Sequence, residues 1–168
     1  MRALSQIAAL VLAAVAAAGC YESPVPLDAA AQVDLDPAVI GAWRCLGSNS
    51  SSTDGPANLT VRRVQDRMFA VTLQEGSQPP DRYEAHTSLV KGRPIVNLRD
   101  LSSTRGKPWM FVRYSLLRPN VLQIQVVSAD SLKGVEASAP ALRKSIERLS
   151  GRASLYMDSC VCVRLKTE

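Results

Sequence analysis

The chain of 168 residues contains a single histidine, His86, and so lacks the first ingredient of most metal and haem centres. A ligand set needs partners at fixed spacing, and the sequence has no second histidine, no H-x-x-H and no C-x-x-C. No G-x-S-x-G elbow surrounds a serine, the serines gather in loop-like stretches such as 48–52, and no glycine-rich phosphate loop is present. These absences exclude the recognisable catalytic constellations, so no catalytic residue, metal ligand or cofactor is expected and the chain reads as non-enzymatic. The chain also lacks a long hydrophobic run: the apolar stretch at 7–18 falls short of the roughly 20 residues that a spanning helix needs. The formal net charge is +5, yet the basic residues form no long run. Arg62, Arg63 and Arg67 gather near one turn, and Arg143, Lys144, Arg148 and Arg152 near another. With no nucleic-acid-binding motif, this surface reads as solvated, with at most a weak pull on anionic lipid or another anionic polymer.

What is present begins at the N-terminus. Arg2 followed by the short apolar run reads as a signal peptide over residues 1–19. Ala17, Ala18, Gly19 and Cys20 then resemble the lipobox of bacterial lipoproteins, in which small residues admit the peptidase and the cysteine sulfur receives a diacylglycerol. The resemblance implies lipidation at Cys20, with a thioether-linked diacylglycerol and an N-acyl group; several chains together anchor stably where one binds only marginally. Tyr21 rather than Asp follows the cysteine, which by the family's sorting logic implies the periplasmic face of the outer membrane. Ordinary cleavage at an A-x-A site such as 16–18 is the other reading, and it leaves Cys20 free to form a disulfide.

Residues 20–37 are rich in Pro, Ala and Asp, with Pro24, Pro26 and Pro37 and almost no apolar periodicity. They read as a lipidated cysteine and flexible tether, able to hold a domain up to roughly 45 to 50 Å from a bilayer at about 3.1 Å per residue. The domain is expected over 38–168. There short β-rich runs alternate with turn chemistry, and strands are predicted at 41–46, 59–64, 68–74, 83–90, 94–98, 109–117, 121–127 and 160–165. Tight turns fall at Gln65, Asp66 and Arg67, at Lys91 and Gly92, and at Arg118, Pro119 and Asn120. Phe69, Val71 and Leu73 point one way while Ala70, Thr72 and Gln74 point the other, so one face of each strand is core and one is wet. Arg82, Glu84, His86 and Ser88 share a face that reads as solvent. The 109–117 strand is apolar on both sides at Trp109, Met110, Phe111 and Val112, so something must cover its outer face. A helix is available after Ser138, with Pro140 in its first turn, Leu142, Ile146 and Leu149 on one face, and Gly151 to close it.

About eight antiparallel strands remove their exposed edges most economically by closing into an up-and-down β-barrel with one helix before the last strand. An open curved sheet capped by the helix is the alternative. Gly41, Ala42 and Trp43 at the start of the first strand resemble the G-x-W opening of lipocalins and the wider calycin group. That resemblance implies an arginine from the last strand packed on the tryptophan, and Arg164 is the candidate. Cys45 shares a strand face with Trp43, and Cys162 shares one with Arg164, so the register that opposes Trp43 to Arg164 also opposes Cys45 to Cys162. A Cys45 to Cys160 bridge, two residues out of that register, is the competing pairing.

The expected function is a membrane-anchored envelope lipoprotein whose barrel binds a small apolar ligand; the alternative is a protein-interaction or structural role with a filled core. A ligand site requires an unfilled interior. The inward candidates Phe69, Val71, Leu73, Val112, Tyr114, Leu122, Ile124 and Val126 are bulky enough to fill a small barrel, so both readings stand open.

Overall fold

A computed structural model describes residues 20–47, 56–104 and 106–166; the signal segment 1–19 and the serine cluster 48–52 lie outside the described residues. Eight strands follow one another: β1 (Gly41–Gly47), β2 (Ala57–Gln65), β3 (Met68–Glu75), β4 (Asp81–Val90), β5 (Arg93–Asp100), β6 (Trp109–Arg118), β7 (Val121–Val127) and β8 (Tyr156–Arg164). Each pairs antiparallel with the next, and β8 returns to β1, so the sheet closes into an up-and-down barrel and leaves no edge.

The turns form where the sequence supplies the backbone conformations they need. Lys91 and Gly92, at φ 50° and 72°, make the two-residue connection between β4 and β5. Arg67, at φ 55°, closes β2 onto β3. Beside that hairpin and beside the one joining β6 to β7, the register shifts by one residue, between Arg63 and Gln65 and between Leu116 and Arg118. Val64 and Leu117 are the extra residues, turned outward by the bulges, which explains why two large apolar side chains are exposed there. The last strand starts four residues earlier than expected, at Tyr156, with a register shift between Gln125 and Val127; the polar Asp158 and Ser159 hide its first residues from a reading by apolar alternation.

Helix α1 (Ala139–Leu149) lies before the last strand, as its periodicity requires. Leu142 and Ile146 are fully buried against Phe111, Val127 and Val90 on the outside of the barrel. The apolar outer face of β6 is thereby covered. Ser138 has the extended backbone of a cap, and its carbonyl accepts the Leu142 N–H at 2.9 Å, but its hydroxyl makes no capping bond.

Residues 20–36 are not a free tether. Most of them run down the outside of the barrel as a strap, Cys20 and Leu35 reach its interior, and all form part of the same packed unit. Tyr21 N–H donates to Val127 O at 3.0 Å, and Ser23 exchanges both backbone bonds with Trp109, at 2.8 and 2.7 Å. Leu27 and Leu35 are buried, each worth about 1.5–3 kcal/mol relative to exposure. Prolines 24 and 26 hold the strap extended, which suits docking across strands as well as it suits a spacer.

The strap also overturns the solvent reading of β4. His86 and Ser88 are buried, and only Arg82 on that face is exposed. His86 Nε2 lies 2.9 Å from the carbonyl oxygen of Asp28, which fixes it as the donor, and its ring meets the Trp109 indole edge-on at 5.2 Å. Asn97 on β5, fully buried, accepts the Leu27 N–H at 2.9 Å through Oδ1 and donates to Ser88 Oγ at 2.8 Å through Nδ2. Arg143 of α1 joins the Asp28 carboxylate and donates to Leu89 O at 2.6 Å, tying helix, strap and β4 together.

Candidate functional site

The barrel's interior begins at a sealed end. After a short 3-10 turn at Pro37–Val39, the chain enters β1 through Gly41, whose φ of 139° only glycine adopts readily. A Cβ at Gly41 would also lie 2.6 Å from Arg164 Nη1. That approach lets the Arg164 guanidinium donate to Ile40 O at 2.9 Å and to Ala38 O, and lie 4.2 Å from the centroid of the Trp43 ring. The Trp43 Nε1–H donates in turn to Val39 O at 2.9 Å. Trp43 is completely buried, with Leu35, Val39 and Phe69 around it, so this end is closed.

Two residues further along the seam, Cys45 and Cys162 stand opposite each other with Cα atoms 3.9 Å apart and form a disulfide. The register carries Trp43 opposite Arg164 at the same time, so the two pairings drawn from the sequence occur together. Cys160 remains a free thiol, its Sγ 4.0 Å from that of Cys162, and burial pushes its pKa up. Cys45, Cys160 and Cys162 form a group of three potential metal-ligand atoms, but two of its sulfurs are bonded to each other.

Beyond the seam the interior is hollow. A cavity of about 250 Å³ runs along the axis, lined among others by Val61, Val71, Ala85, Val96, Val112, Ile124 and Val126. Most of the inward candidates face it, yet they do not fill it, because valine and alanine at so many inward positions are too short to reach the axis of an eight-stranded barrel. Phe69, buried beside Trp43, is the inward candidate that does not line the cavity. Among the described residues on the wall, those with a polar side-chain atom are Tyr83, Tyr114 and the cysteines, and the Tyr114 hydroxyl accepts the Asp36 N–H at 3.4 Å. Burial raises the pKa of both tyrosines, and Asp81 and Asp100 add to the effect on Tyr83, so the wall carries no charge at neutral pH.

An unfilled apolar space of this size is costly. At about 24 cal/mol per Å³ the stability forgone relative to a filled core is of order 6 kcal/mol. The same space, at roughly 30 Å³ per small group, admits about eight methylenes of an unbranched chain.

Cys20 lies at the opposite end from Trp43. It bridges to Ser128, just beyond the end of β7, and lines the cavity there with Tyr83, Met110, Val126 and Cys160, all half-buried. No sequence signal foretold this, since the strap that places Cys20 has no periodicity. Among the described residues no helix is long and apolar enough to cross a membrane. No protein-family model, curated protein or solved structure matches the chain.

Proposed function

We propose that this protein is a lipid-anchored, non-enzymatic binding module of the bacterial cell envelope that holds a single apolar chain inside its barrel. The observation that carries the reading is the hollow, uncharged interior, which the barrel's own side chains leave unfilled at a cost of order 6 kcal/mol relative to a packed core. The wall offers no ordered set of hydrogen-bond donors that would select a polar molecule, so recognition is by width and apolar contact. A saturated or singly unsaturated acyl tail fits those terms, with its polar head left outside.

The lipid anchor is read from the lipobox resemblance at residues 17–20, and Tyr21 in place of Asp after the cysteine supports the periplasmic face of the outer membrane as its site. Magnitude is consistent with a carrier rather than a store. About eight buried methylenes at about 0.8 kcal/mol each give roughly 6 kcal/mol before association costs, which caps the affinity for a free ligand in the ten-micromolar range. Native mass spectrometry of the protein from its own envelope, released gently from detergent, tests the reading. It should show a fraction carrying a noncovalent adduct of one single- or double-chain lipid, and a consistently empty domain would support the interaction role instead.

A further inference from the structure

The strap removes the slack between anchor and barrel. Were residues 20–36 a tether, the lipid on Cys20 would leave the barrel free to turn; instead Tyr21 and Ser23 are hydrogen-bonded to Val127 and Trp109, and Cys20 itself bridges Ser128. Any lipid on Cys20 therefore emerges at one defined place, the strand end where β7 finishes and β6 begins. That is also where the cavity reaches Cys20, Tyr83, Met110 and Val126, and it is the end opposite the Trp43 seal.

We propose that the protein sits on the bilayer with this strand end down and takes its occupant, one acyl tail of a membrane lipid, directly from the leaflet into the barrel. The proposal rests on the lipid anchor and on the apolar-chain reading above. Exposed apolar residues do not decide the orientation, since Leu46 and Leu101 mark this end while Val64 and Leu117 mark the other. Charge alone would favour the opposite pose: the hairpin end carries Arg67, Lys91, Arg93 and Arg118, which anionic headgroups would attract. The anchor prevails because it is covalent and has no slack, whereas exposed charges are screened within about 8 Å at physiological ionic strength. The pose also answers the modest affinity. A weak site held at the membrane surface meets its ligand at a high effective concentration, so no tighter binding is needed.

The chain's two tryptophans lie at opposite ends of the barrel, Trp109 beside Ser23 and Trp43 in the seal. The test uses the full chain, produced in a host that processes lipoproteins and reconstituted in phosphatidylcholine vesicles brominated in the acyl chains. Bromine quenches only fluorophores near the tails. In Trp43→Phe, emission from Trp109 should be at least halved, whereas in Trp109→Phe, emission from Trp43 should fall by less, and only through the single brominated tail taken into the barrel. Because Trp43→Phe alters the core, amide exchange of the unsubstituted protein supplies a second reading. Reconstitution should slow exchange over 76–80 and 101–108 and leave 65–67, 91–92 and 118–120 as they were. Quenching of Trp43 that exceeds that of Trp109, or protection of the basic hairpins in place of 76–80 and 101–108, overturns the placement. An intact mass without lipid on Cys20 fails the anchor reading itself, and the placement with it.

Discussion

Removing the Cys45–Cys162 bridge probes the seam on which barrel closure depends. The bridge joins positions 117 residues apart. In the chain-entropy treatment, closing a loop of that length costs the unfolded ensemble about 4.9 kcal/mol at 25 °C, near the top of the usual range of about 2–5 kcal/mol. The perturbation is Cys45→Ala with Cys162→Ala, and the assay is urea unfolding followed by circular dichroism and extrapolated linearly to water. A loss of about 3–5 kcal/mol is expected, corresponding to a fall in Tm of roughly 10 °C for a chain of this size. The slope should steepen, because the unbridged chain exposes more surface on unfolding. Either single substitution should cost nearly as much as the double, since each already abolishes the same bond, while Cys160→Ala should cost far less. A double variant within about 1 kcal/mol of the parent, or a Cys160→Ala variant as damaged as Cys45→Ala, would refute the argument.

Two further outcomes follow from the outer layer and the buried phenols. Asn97→Ala leaves the Leu27 N–H without its acceptor and Ser88 without its donor, so a loss of about 2–3 kcal/mol is expected, with faster proteolysis within 21–36; an unchanged cleavage rate would mean the strap does not depend on that bond. Burial raises the pKa of all four tyrosines, Tyr21, Tyr83, Tyr114 and Tyr156, above the ordinary value of 10.0. The folded chain then keeps phenolic protons that the unfolded chain releases, so this stability is complete below about pH 10 and is lost as pH rises beyond it. Absorbance titration at the phenolate band should show no tyrosine ionising at or below that value before unfolding, and one that does would contradict the burial.

The seam was legible in the sequence because a strand repeats every second residue. Once Trp43 and Cys45, and Arg164 and Cys162, are placed on single faces, one register satisfies both pairs. Strand order, the tight turns and the helix over the apolar face of β6 were legible for similar reasons: each depends on local spacing. The strap was not. Val25, Leu27 and Leu35 follow no period, and Leu27 docks over Ser88 and Asn97, of which Ser88 lay on the face of β4 that read as wet. His86 was misjudged with Ser88, since its partner is a carbonyl 58 positions away in sequence. The hollow interior was hidden for another reason. Alternation tells which residues face inward, but whether they meet at the axis depends on how far Val61, Val96 or Val112 can reach across a barrel of this width.

The claim at the centre is that the cavity holds one acyl chain, and titration of the delipidated, ligand-free protein with a fluorescent fatty acid tests it most directly. Binding should be saturable, with one site per chain and a Kd of order ten micromolar or weaker. Ile124→Phe, which adds a ring at a wall position between Tyr114 and Cys160, should weaken it at least tenfold while leaving the circular dichroism spectrum and Tm equal to or above those of the parent. Nonsaturable binding, or an affinity that Ile124→Phe leaves unchanged in a folded protein, would show that the interior is not the site.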